Sequence, residues 1–389
     1  MVEAQENRTS ARKRIDLRLY LNQQPVMLAL LAVLGVILFL AVAGLSRAYH
    51  AQRDALGNRW FSRGMLDLNA GHFDRAVTEF RAALLYSRDN YDYQLNLAEA
   101  LIGEKRTSEA YSYLVNLWDR QPEDGVVNLE LARVAAQGGQ TEQAQRFYHN
   151  SIYAVWPGNQ EVKRRNTRFE LIEYLLSINA KAKAQSELIA LEENLGEDPA
   201  LQERVGDLFL RAEDYEHALA AYRLCMKSDR HNVAALAGAG WAAFQLARYP
   251  LAERYLQAAV AANPGDTQSA ERLMTTELLL HMDPFRRQIS EEERASIVVD
   301  AFAVAGRRLS SCATPKAAAA SAASEPSLAD NWAKMKLQIS EQQLRQNPDL
   351  LEKAMDLVFE IERQTSATCG TPSGADLALL LLAKLHEGT

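Results

Sequence analysis

Apolar and polar positions change their rhythm twice along the chain. From Leu19 to Ser46 no residue is charged, and Val26 to Leu45 reads "VMLALLAVLGVILFLAVAGL". Twenty such residues in a helix cover the roughly 30 Å hydrocarbon core of a bilayer. A transmembrane helix is therefore expected over residues 25–46. From about residue 57 the apolar positions recur with helical spacing in short blocks. Turn-prone stretches such as "NAGHF", "AQGGQT" and "RAEDY" separate the blocks. After "HMDPF" the short period stops and longer amphipathic blocks follow.

The short blocks are in phase. Stepping by 34 from Ala76 gives Ala110 and Ala144; a step of 40 gives Ala184; steps of 34 then give Ala218 and Ala252. The extra residues fall near Pro157 to Lys163. Four positions after each alanine stands a large side chain: Phe80, Leu114, Tyr148, Leu188, Tyr222 and Leu256. Twelve before it stand Gly64, Ala98, Ala132, Ile172, Gly206 and Gly240. Antiparallel helices joined by a tight turn approach closely only where a small side chain faces a large one. Neither helix buries its apolar face alone, so successive pairs must stack. At Trp60, Gly64, Gly71, Phe73, Ala76, Phe80 and Ala83, and again at Gly240, Tyr249, Ala252, Ala259 and Pro264, the sequence resembles the tetratricopeptide repeat. The resemblance implies an all-α chain. An α-solenoid of tetratricopeptide helix pairs spans residues 57–282, six units plus a seventh first helix. One transmembrane helix precedes it and a small helical domain, 283–389, follows.

The resemblance also implies a groove lined by the first helix of each pair. Its positions here are Phe61, Met65, Leu95, Glu99, Leu129, Arg133, Phe169, Glu173, Trp241 and Phe244. Family members that clamp a C-terminal carboxylate use Lys and Asn at such places, and this chain has mostly apolar residues there. The expected partner is a protein or peptide, an amphipathic helix or extended apolar segment. For Trp241 and Phe244, packing within the chain is the favoured alternative.

Flanking charge orients the span. Arg8, Arg12, Lys13, Arg14 and Arg18 precede it, against Arg47 and Arg53 just after. The basic segment 1–24 is thus expected in the cytoplasm, with the bulk of the chain on the far side of an inner (plasma) membrane. A cleaved signal peptide is the competing reading, because "AVA" at 41–43 resembles a cleavage site. The apolar run exceeds a usual signal core and favours an uncleaved anchor.

In the C-terminal third, Ser290 and Glu293 form a capping-box pattern ahead of an amphipathic helix. Residues 313–326, rich in alanine and serine, read as a linker. A helix is expected through "LADNWAKMKLQISEQQLRQ". Another starts with Asn347 as N-cap and Pro348 at the first helical position, and "SGADLALLLLAKLHEG" closes the chain. Cys312 and Cys369 follow expected helix ends. Outside the cytoplasm they are candidates for a disulfide closing a loop of about 56 residues, worth ~4 kcal/mol; two free thiols is the alternative. Cys225 reads as core.

Chemistry is sparse. The net charge of −7 argues against a nucleic-acid partner. The seven histidines are scattered, no HExxH occurs, and the Gly-rich nucleotide loops and GxSxG are missing. No catalytic residue, metal site or cofactor is expected. The leading reading is a membrane-tethered, non-catalytic scaffold, with envelope assembly or secretion as its candidate roles. The alternative is an enzyme with an unrecognised catalytic C-terminal domain to which the repeats present substrate.

Overall fold

The computed structural model describes residues 24–193, 195–196, 198–312 and 327–386. The basic stretch before Gln24 and the Ala-rich 313–326 lie outside these residues. The described chain is all-α, and its one β-type contact is an isolated bridge between Asp124 and Val155. It divides into two compact units, residues 1–167 and 168–389.

In the first unit, helix α1 (Gln24–Asn69) pairs with α2 (Phe73–Tyr86), α3 (Tyr91–Gly103) with α4 (Thr107–Arg120), and α5 (Gly125–Gln137) with α6 (Thr141–Tyr153). The apolar segment and the first helix of the first pair are one uninterrupted helix of 46 residues. No linker separates the span expected at 25–46 from the array expected at 57. The insertion near Pro157 is absorbed in two ways. Residues 154–156 run extended, with the Gly125 N–H donating to the Val155 carbonyl at 3.1 Å, and Trp156 packs onto Gly125, where a Cβ would stand 2.5 Å from its ring. The next helix, α7 (Gln160–Ser177), is lengthened to 18 residues.

In the second unit the pairing continues through α8 (Lys181–Glu192), α9 (Pro199–Arg211), α10 (Tyr215–Ser228), α11 (Val233–Gln245) and α12 (Tyr249–Ala262) to α13 (Thr267–Met282). Then follow α14 (Glu291–Cys312), α15 (Leu328–Lys336), α16 (Glu341–Gln346), α17 (Pro348–Cys369) and α18 (Gly374–His386). The single helix expected over 328–346 is broken at Leu337–Ser340. There the Ser340 hydroxyl accepts from the Gln343 N–H at 3.3 Å and starts a new helix. The C-terminal helices share one core with the last repeat: Tyr249, Leu279 and Met282 pack with Val298, Phe302, Met355, Val358 and Leu382.

The alanine column and the large column four residues on are buried throughout, from Ala76 and Phe80 to Ala252 and Leu256. The size match is direct. A Cβ on Gly64 would lie 2.6 Å from the Phe80 ring, on Gly206 2.7 Å from Tyr222, and on Gly240 2.7 Å from Leu256. Full burial of one ring such as Phe80 contributes roughly 2–3 kcal/mol.

The first helix of each of the six complete pairs ends in the same way. Gly71, Lys105, Gly139, Asn179, Glu213 and Ala247 have φ between 55° and 75°. The N–H after each bonds back to the helix, as His72 to Asp67, Arg106 to Leu101 and Arg248 to Ala243. This is the left-handed C-terminal stop in which an N–H five residues on satisfies an orphan carbonyl. A side chain in that conformation costs about 1–2 kcal/mol, which glycine avoids. Glu213→Gly and Ala247→Gly are therefore expected to raise stability, by about 0.5–1 kcal/mol each, offset in part by unfolded-chain entropy. Gly139→Ala should lower it. Denaturant midpoints of the three variants check this.

Candidate functional site

In the first unit the expected groove positions lie on α1, α3 and α5, of which α3 touches both others. Phe61 is half-buried and committed to internal packing, its ring centroid 5.1 Å from Tyr93 and 5.6 Å from Phe80. Met65, Leu95 and Leu129 are half-buried, and Glu99 is exposed. Arg133 pairs with Glu130 at 2.6 Å one turn before it. The Tyr93 hydroxyl donates to Asn58 at 2.7 Å, and Tyr91 donates to Asp124 at 2.6 Å. Burial, then the Asp124 acceptor, holds the Tyr91 phenol far above its usual range. Met65, Leu95, Leu129 and Glu99 are thus the positions in this unit with surface left to offer.

The second unit differs. Phe169, expected to line the groove, is buried at 2% exposure, with the Arg204 guanidinium 4.0 Å from its ring centroid. Glu173 is paired with Arg211 at 2.6 Å. Trp241 stacks on Phe244 at 5.4 Å and carries Arg272 on its ring at 4.1 Å. Phe244 in turn meets Tyr249 edge-on at 5.4 Å and packs against the C-terminal core. Both aromatic positions are therefore covered by an arginine from the first helix of the following pair, a contact worth about 0.5–2 kcal/mol as the cation is desolvated. Burial pulls Arg272 below the usual guanidinium range. Arg204 and Arg272 were not expected from the sequence. Their separations from Phe169 and Trp241 lie close to one repeat, which is the signal that would have found them.

The C-terminal helices hold the most unusual electrostatics. Cys312 and Cys369 end α14 and α17 and face each other with their Cα atoms 6.0 Å apart. That span fits a bridge without backbone distortion. One turn before Cys312, Arg308 donates to the Gly370 carbonyl at 2.7 Å. Glu362 on α17 is fully buried. Neither of its oxygens has a donor, and one oxygen of Asp376, in the first turn of α18, also lacks one. Burial, with Asp376 beside it, pushes Glu362 up to about 8, while Arg308 pulls the other way. Asp376 is also raised by burial. Two facing carboxyls have no donor between them until one is protonated; a shared proton satisfies both. Among the described residues no group of three or more His, Cys, Asp or Glu is placed to hold a metal ion.

The helix pairs, their left-handed stops and the small-to-large interlock now stand beside a direct sequence match: residues 101–150 match the tetratricopeptide repeat family. The chain carries tetratricopeptide repeats. No curated protein matches it in sequence. Among solved structures, PilF from Pseudomonas aeruginosa is similar at 17% identity, over 57% of this chain and 97% of that one, with a TM-score of 0.40. YrrB, a tetratricopeptide protein with an unusual peptide-binding site, is 14% identical over 49% of this chain and 95% of its own, TM-score 0.38. A tetratricopeptide repeat protein from Parabacteroides merdae is 13% identical over 85% and 99%, TM-score 0.32.

Beyond the tetratricopeptide pairs, the buried carboxyls make stability depend on pH. The folded Glu362 titrates near 8 and an ordinary glutamate near 4.5, so the folded form holds the proton more tightly between these values. The contribution is full below the unfolded value and is lost as pH rises through the folded one. Chemical denaturation of the full chain should show stability falling between pH 5 and 8.5, by on the order of a few kcal/mol. Glu362→Gln should flatten that dependence.

Proposed function

We propose that this chain is a membrane-anchored, non-catalytic scaffold whose tetratricopeptide array binds a protein or peptide partner on the non-cytoplasmic side of an inner membrane, in envelope assembly or secretion. A tetratricopeptide array is a protein-binding fold, and that part of the reading rests on the repeats themselves. The observation that carries the rest is α1. Its most apolar window has a mean hydropathy of 3.1, none of it is buried in the protein, and the same helix becomes the first helix of the array. An apolar surface of this size left bare in water is unfavourable, and a bilayer removes it. The excess of Lys and Arg before the apolar run supports a cytoplasmic N-terminus. The enzyme alternative gains nothing from the Glu362 pair, because a fully buried carboxyl meets no substrate.

Met65, Leu95, Leu129 and Glu99 are the proposed partner-facing positions of the first unit. A photo-crosslinking residue at Leu95 or Leu129 in intact membranes should give a discrete protein adduct. The same residue at Leu224, exposed on the second helix of its pair, should not. Leu95→Ser with Leu129→Ser should abolish the adduct formed from Glu99 while leaving the thermal midpoint within about 2 °C, as expected for changes at half-exposed positions. A collapsed midpoint would make these residues core.

The far-side location also has a chemical signature. We propose that Cys312 and Cys369 are oxidised, which an extracytoplasmic compartment permits. Unfolded, unreduced protein from membranes should then expose one reactive thiol, that of Cys225. Three reactive thiols would contradict the bond.

A further inference from the structure

The anchoring reading, on which this inference rests, fixes the height of the first unit's turns above the bilayer. α1 leaves the apolar run at Ser46 and continues without interruption to Asn69. α2 runs back beside it: Arg53 donates to the Tyr86 carbonyl, and Gly57 lies against Tyr86 and Tyr93. At 1.5 Å per residue, Arg53 stands about 10 Å beyond Ser46. The headgroup layer extends roughly 5–8 Å outward from the hydrocarbon core. The turn after α2 is therefore level with the outer face of the headgroups.

Two more turns are tied to that level. Arg120 at the end of α4 donates to the Asp89 carbonyl at 3.2 Å, and Tyr91 donates to Asp124 at 2.6 Å. The Val155 N–H donates to the Glu123 carbonyl at 3.1 Å. Residues 86–91, 120–125 and 154–160 thus form one edge of the unit. The turns at 69–73, 103–107 and 137–141 form the opposite edge, about 20 Å farther along the helices.

The near edge carries exposed apolar surface: Leu85 is 81% exposed, Tyr153 73% and Val155 60%. Arg88, in the turn after α2, and Lys163, in the first turn of α7, are both exposed and without a carboxylate partner among the described residues. A tilt of about 20°, usual for a membrane helix, is enough to lower such an edge onto the surface. Tyrosine, with an apolar ring and a polar tip, suits the headgroup boundary, and exposed cations suit lipid phosphates.

We propose that this edge is a second membrane contact, in which Leu85, Tyr153 and Val155 enter the headgroup layer and Arg88 and Lys163 meet lipid phosphates. The first unit then lies against the bilayer by its second-to-first-helix turns, and its half-exposed first-helix positions stay clear of lipid.

Full-length chain in vesicles of phosphatidylcholine and phosphatidylglycerol tests this. A fluorophore is placed without reduction at Tyr153→Cys or Arg88→Cys on the near edge, and at His72→Cys or Gln137→Cys on the far edge. Quenching by a headgroup-attached nitroxide lipid is then read for each, with the unsubstituted chain as the background. Near-edge labels should be quenched several-fold more than far-edge labels, with His72 and Gln137 close to the value in nitroxide-free vesicles. Equal quenching at both edges in chain that floats with the vesicles after alkaline extraction overturns the edge contact and leaves the anchor standing. Chain that is lost from the vesicles on extraction overturns the anchor, and the edge contact with it.

Discussion

The close approach of a small residue on one helix to a large one on the next is the contact on which the repeat architecture depends. Gly64 against Phe80, Gly206 against Tyr222 and Gly240 against Leu256 leave no room for a single added carbon. This approach brings the helices of a pair near enough to bury the alanine column between them, and the buried column presents a surface that only another pair can cover. Side chains packed at near-crystalline density tolerate little change in volume, so the interlock sets the phase of the array as well as its stability. Tyr222 illustrates how tightly the demands combine. Its ring fills the gap at Gly206 and also meets Gly238 of α11, while its hydroxyl donates to Asp207 at 2.6 Å. One side chain thus spaces two neighbouring helices and donates to a carboxylate.

The interlock was legible in the sequence because both of its partners are defined by size, and size is what residue identity states most directly. The turns were only partly legible. A left-handed residue ends all six first helices, yet only Gly71 and Gly139 announce it; Lys105, Asn179, Glu213 and Ala247 are held there by the hydrogen bonds around them. Tertiary context overrides local preference at those four positions. A second column is polar: Asn90, Asp124, Asp198, Asn232 and Asp266 each cap a first helix, accepting from backbone N–H groups two or three residues on. These residues repeat at the array's own period, so the caps are legible in the sequence as a polar column beside the apolar ones.

The groove was harder to read for a physical reason. Its lining is decided between pairs, not within one. Phe169 and Trp241 look like open aromatic positions until Arg204 and Arg272 arrive from the next first helix and cover them. A charged residue whose stem lies along an aromatic face reads in isolation as a solvated surface residue. The C-terminal region escaped for a related reason. Its helices were legible one by one, apart from the break that Ser340 introduces. Their shared core with Tyr249, Leu279 and Met282 joins residues distant in sequence, and no periodicity links them.

Continuity of α1 changes what the N-terminal segment does. A flexible tether of ten residues would let the array sample many heights and orientations, and lengthening it would mainly extend its reach. Between Ser46 and Gly57 there is no proline, and Gly57 is packed against Tyr86 and Tyr93, so the usual causes of a kink are lacking where one would matter. In a continuous helix each added residue lifts the array by only 1.5 Å but turns it by about 100° about the helix axis. The number of residues between the apolar run and the first interlock therefore sets which face of the first unit is presented, far more than how far it extends. The hydrogen bond from Arg53 to the Tyr86 carbonyl then fixes that azimuth to the first pair, so the phase counted from Ala76 reaches back along the same helix to the apolar segment.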